Sequence, residues 1–184
     1  SVIPDRKNEH YANDDELQQA VGDAMHTEYK MIIDAGFLVQ LDDARAAVSY
    51  DRTVPPKSLK DYRAWLAKQV EVTNHAIAGL PREKIRYHVC WGSWPGPHVT
   101  DIPLKTIVKL ILKLKVGAFV IEGANPRHEH EWKVWADVKL PKDVVLIPGA
   151  QAGLYCALQC LAGPGDEVIV PEPMYATYEA VAGA

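Results

Sequence analysis

The sequence predicts an α/β fold with parallel strands, on three observations. Short apolar runs such as Phe37–Leu41, Ile85–Cys90, Gly117–Ile121 and Val144–Ile147 are separated by longer segments. In those segments apolar residues recur at helical spacing. Glycine closes several elements, at Gly36, Gly79 and Gly92. Strands alternating with long helices build βαβ units, whose strands lie parallel. No internal repeat and no low-complexity stretch interrupts the pattern.

In order, Ser1–Ile3 is a candidate strand end, followed by a polar loop over Asp5–Asn13. Asp14–Ala35 reads as a helix: Asn13 can cap it, acids fill its first turn, and Leu17, Ala20, Val21, Ala24, Tyr29 and Ile32 share a stripe. Phe37–Leu41 is a short strand ending at Asp42-Asp43. Ser58–Gly79 is a second long helix, capped by Ser58. After the strand Ile85–Cys90 come a Gly/Pro loop, the helix Leu104–Lys115, the strand Gly117–Ile121 and a polar loop containing Arg127–Trp132. Val144–Ile147 is a strand, Gln151–Leu161 a helix, Glu167–Val170 a strand and Thr177–Ala182 a last helical turn. Six strand candidates fall short of an eight-stranded barrel.

Composition bounds the function. The 184 residues are 48% hydrophobic and 24% charged, ordinary for a folded soluble chain. A net charge of −4 without a basic run gives no footprint for nucleic acid. No apolar run reaches membrane-spanning length, and no signal-peptide pattern opens the chain. Three cysteines, an odd number, fit a reducing cytoplasm better than a disulfide framework. The opening Ser1-Val2-Ile3-Pro4, without an initiator Met, reads as the start of a fragment.

The chemistry concentrates at Ile85–Trp94. His88 and Cys90 are two apart, so on a strand they project from one face, at the C-terminal edge where α/β proteins build their sites. Imidazole and thiolate are ligands that zinc favours. Glu122 ends the next strand, and a carboxylate there is costly to bury without a partner or a cation. Cys156 and Cys160 share a helix face beside Leu154, Leu158 and Leu161 and are expected in the core. His128 and His130, interleaved with Glu129 and Glu131, are expected on a solvated loop.

Four segments carry a resemblance: Ser1–Glu9, Asp34–Asp43, Arg86–His98 and Glu122–Trp132. Over residues 1–148 the chain resembles the catalytic domain of the cobalamin-independent methionine synthase family. The resemblance implies a partial (β/α)8 TIM-barrel-like fold, truncated, and zinc-dependent methyl transfer from a reduced folate to homocysteine. It implies His88, Cys90 and Glu122 as metal ligands and Asp42 as the catalytic and substrate-gripping acid; Trp91 and Trp94 are read either as walls of a pterin pocket or as core or rim packing. The family's last zinc cysteine has no counterpart here, so catalysis by this chain is left open. An unclosed barrel exposes two sheet edges, which implies self-association.

Gly149-Ala150-Gln151 before a helix, the run Pro164–Val170, and Pro171-Glu172-Pro173-Met174-Tyr175 resemble the fold-type I aminotransferases instead. That resemblance assigns Gly149, Ala150 and Gln151 to the phosphate of pyridoxal phosphate (PLP) and Tyr175 to its ring. The family's Schiff-base lysine falls beyond these residues, which sets PLP down as unlikely. The expectation is therefore a chimera, divided into 1–148 and 149–184, with a βαβ-type segment of different origin at its end.

Overall fold

The computed structural model describes residues 7–43, 45–92, 96–123, 127–147 and 150–169, with side chains at 147 and 150–153 excepted. Four strands, β1 (Val39–Asp42), β2 (Ile85–Val89), β3 (Ala118–Ile121) and β4 (Val145–Ile147), form one sheet in the order β1-β2-β3-β4. All three pairings are parallel. The helices are α1 (Asp14–Asp34), α2 (Arg45–Thr53), α3 (Leu59–Ala76), α4 (Leu104–Ile111) and α5 (Ala150–Leu161). The fold is α/β with a parallel sheet, and no helix among the described residues is long and apolar enough to cross a membrane.

The two long helices start where their caps dictate. The Asn13 side chain accepts from the Glu16 N–H at 2.9 Å, and Asp14, Asp15 and Glu16 place negative charge at the positive end of α1. Ser58 and Asp61 complete a capping box at α3: each side chain accepts from the other residue's backbone N–H, both at 3.1 Å. Hydrogen bonds to the Asp61 carboxyl from the Ser58 hydroxyl, and then from the Ser58 N–H, hold it below its usual pKa. At Gly22 α1 passes close to α3, since a Cβ there would meet the His75 ring at 2.9 Å.

One face of the sheet makes the core. Val39 and Leu41, Ile85, Tyr87 and Val89, and Phe119 and Ile121 are buried against Tyr62, Leu66 and Val70 of α3 and Ile107, Val108 and Ile111 of α4. Period-two alternation in β1 and β2 sets this face. Tyr62, fully buried, donates to Ala46 O at 3.0 Å and so fastens the start of α2 onto α3. Gly117 is required before β3, because a Cβ would lie 2.6 Å from Arg82 O.

The structure departs from the sequence reading at five places. Helix α2 was not anticipated. The strand begins at Val39, leaving Phe37 and Leu38 exposed. Glu129–Ala136 is a 3-10 helix rather than a loop, held because buried Glu131 accepts from the Leu104 N–H at 3.0 Å. Cys156 and Cys160 are exposed, not core: among the described residues α5 packs chiefly on β4, and its residues 155–157 and 159–161 are open to solvent. Residues 167–169 are not strand, and the other expected elements at 1–3 and 177–182 lie outside the described residues.

Candidate functional site

The C-terminal strand ends bring Asp42, His88, Cys90 and Glu122 to one rim. Asp42 and His88 are register partners on β1 and β2, and Asp42 Oδ1 lies 2.7 Å from His88 Nδ1. Glu122, one residue past β3, accepts from the Trp91 backbone N–H at 3.2 Å. Cys90 is half-buried; burial pushes its thiol pKa up and the nearby acids Asp42, Glu122 and Asp43 add to that, against a backbone hydrogen bond at Gly92. The ligand atoms of His88, Cys90 and Glu122 do not all lie within 4.8 Å of one another, so as they stand they do not form a cation-sized cluster.

Sequence reasoning missed Asp43. Its carboxylate is buried, accepts from the Tyr87 hydroxyl at 2.6 Å, and caps the Arg45 N–H at 3.1 Å. Burial first, then Asp43, raises the Tyr87 pKa well above its ordinary value, so the phenol stays protonated as donor. The adjacent Asp-Asp pair thus divides its work: Asp42 faces the open side and Asp43 ties β1 to β2 below it.

Trp91 is buried, in keeping with the packing alternative: its indole N–H donates to Ile102 O at 2.8 Å and its ring stacks on His128 at 4.2 Å between centroids. Trp94 lies outside the described residues. His128, expected in solvent, is only 4% exposed. Burial is the main influence on it and lowers its pKa from 6.5, against the pull of Glu122, Asp101 and Glu131, with His98 reinforcing the lowering. Beside it, His98 Nδ1 sits 2.8 Å from Asp101 Oδ2. These residues adjoin a cavity of about 520 Å³ lined by Val48, Asp51, Arg52, Trp91, His98 and Asp101, among others. That volume is in the range of small-molecule sites.

At the other end of the chain, β4 leads through residues 148 and 149 into α5. The first turn of α5 carries no acid of its own to compete for the helix's N-terminal N–H groups. Ala150 and Gln151 stand in that turn, whereas Gly149 and Tyr175 lie outside the described residues. The arrangement fits a phosphate at the helix start.

Comparison with known proteins points to this end. The family model for aminotransferase class I and II matches residues 134–184. An arginine–pyruvate transaminase of Pseudomonas aeruginosa is 65% identical over 43 residues, which are 23% of this chain and 11% of that protein. The chain therefore spans only a small part of the relative's length. No solved structure matches.

These findings overturn the methionine synthase reading, and with it the zinc-dependent methyltransferase function and the place in methionine biosynthesis. Zinc held by His88, Cys90 and Glu122 lacks support from the comparisons, and the separation of their ligand atoms agrees. PLP, set down as unlikely, is instead the cofactor that the matched family implies. The match also begins at Val134, upstream of the expected join at Gly149.

Proposed function

We propose that residues 134–184 are part of a PLP-dependent aminotransferase of class I and II, supplying the strand–turn–helix that receives the cofactor's phosphate. The observation that carries this is the 65% identity over 43 residues to a transaminase. The geometry supports it: a helix of 12 residues follows β4 closely and opens without an acid. PLP, when bound, supplies the electron sink for the substrate carbon that loses its amino group. The chain's own residues Gly149, Ala150 and Gln151 hold the phosphate, and Tyr175 is the residue that the resemblance sets against the ring. The substrate class is an amino acid donor with a 2-oxo acid acceptor, as arginine and pyruvate are for the relative.

For the remainder of the chain we propose a partial (β/α)8-like wall, with Asp42, His88, Cys90 and Glu122 as a small-molecule rim. The sheet's second face supports this, since Gln40, Asp42 and Arg86 stand exposed on it. The edge strands β1 and β4 would pair with a second copy, in a cytoplasmic setting that suits free thiols.

Calorimetric titration of the full chain with PLP and with pyridoxal, which lacks the phosphate, tests the cofactor reading. Both aldehydes react with surface lysines, so the difference isolates the phosphate contact. PLP is expected to bind on the order of tenfold more tightly, and Ala150→Asp, which puts an acid at the helix start, is expected to erase the difference. Equal affinities in the wild-type chain would overturn the proposal.

A further inference from the structure

His98, Asp101 and His128 each offer a ligand atom, and the three atoms lie within 4.8 Å of one another, the one such group among the described residues. A second observation is independent of their proximity. His128 is 96% buried, yet neither ring nitrogen makes a hydrogen bond. Asp101 Oδ2 lies 3.0 Å from His128 Nε2, an ion-pair distance, without making a hydrogen bond to it. A neutral imidazole presents one N–H and one lone pair, and here neither finds a hydrogen-bond partner. The same Asp101 oxygen lies 2.8 Å from His98 Nδ1, so two imidazoles converge on one carboxylate.

We infer that His98, Asp101 and His128 form a binding site for a divalent first-row transition cation. Two imidazoles and one carboxylate are the donor set such ions accept, whereas calcium and magnesium prefer oxygen alone. Three protein ligands leave coordination positions open, and His98 and Asp101 line the 520 Å³ cavity, where a water or small ligand completes the shell. The ring of His128 is held by its stack on Trp91, at an interplanar angle of 18°, and Trp91 is itself anchored on Ile102 O. Such support around a ligand fixes the direction of its lone pair. All three residues lie outside the 134–184 match, so this site stands or falls apart from the aminotransferase reading.

Cobalt(II) titration of the full chain, read by visible absorption, tests it. The expected result is d–d bands saturating near one equivalent, without the intense near-ultraviolet charge-transfer band that a thiolate ligand produces. Asp101→Asn, nearly isosteric, and His128→Gln are expected to weaken binding by at least about tenfold, with circular dichroism verifying the fold. Cys90→Ser is expected to change nothing. Absence of bands in folded wild-type protein, bands of full strength in both variants, or their loss in Cys90→Ser would each overturn the assignment.

Discussion

The sheet with α3 and α4 and the tail from β4 to residue 169 obey the same local rules but differ in what covers them. In the first region Tyr62, Leu66, Phe119 and Ile107 are sealed from solvent. In the second, Leu161 is 84% exposed and Ile169 97%. Helix α5 is as apolar in composition as α4, but α4 gathers its apolar residues on one face and α5 spreads them around, so sequence patterning is part of the contrast. Burial also requires a second layer, and among the described residues α5 packs chiefly on β4. A helix can form from its own pattern, whereas a core forms only between elements.

The sharpest way to break this comparison is to delete the same kind of side chain from both regions. Phe119→Ala, in a central strand, is expected to lower unfolding free energy by about 3–5 kcal/mol, read from urea denaturation. Leu161→Ala is expected to stay within about 0.5 kcal/mol. Comparable losses at both sites would mean that the tail is covered in solution.

A smaller effect is expected at Tyr87→Phe, which leaves the buried Asp43 carboxylate without its 2.6 Å donor. Loss of about 1–3 kcal/mol follows from an unsatisfied buried acceptor. An unchanged denaturation midpoint would show that the pair adds nothing to the β1–β2 junction.

The mildest test uses thiol chemistry and leaves stability untouched. Cys156 and Cys160 are exposed and Cys90 is half-buried with a raised pKa. A thiol-exchange reagent at neutral pH is expected to consume two thiols quickly and the third slowly. The slow rate should keep climbing as pH passes 9, because thiolate forms only toward the raised pKa. Three equal rates would contradict the difference in cover.

The elements legible in the sequence were those with strong local signals. The caps at Asn13 and Ser58 placed α1 and α3, and the alternation in Ile85–Val89 placed β2. Helix α2 was not legible, because Arg45–Thr53 is short and mixed in polarity and is fastened by Tyr62, a residue on another helix. The rim was legible because residues at strand ends share an edge once the strands are parallel. Their mutual distances were not, since ladder register and turn geometry set those.

The triad shows the same limit more clearly. His98 and Asp101 are three apart, a spacing that sequence reasoning could have flagged, but His128 stood in a run of alternating acids and histidines that reads as solvated. Its burial came from the stack on Trp91 and from the contact between Glu131 and the start of α4. By itself the sequence determined the capped and strictly patterned elements α1, α3 and β2, because those signals are local and repeat within a few residues. Tertiary structure alone decided which polar groups are buried and which apolar ones are left open, because solvent exclusion depends on chain segments distant in sequence.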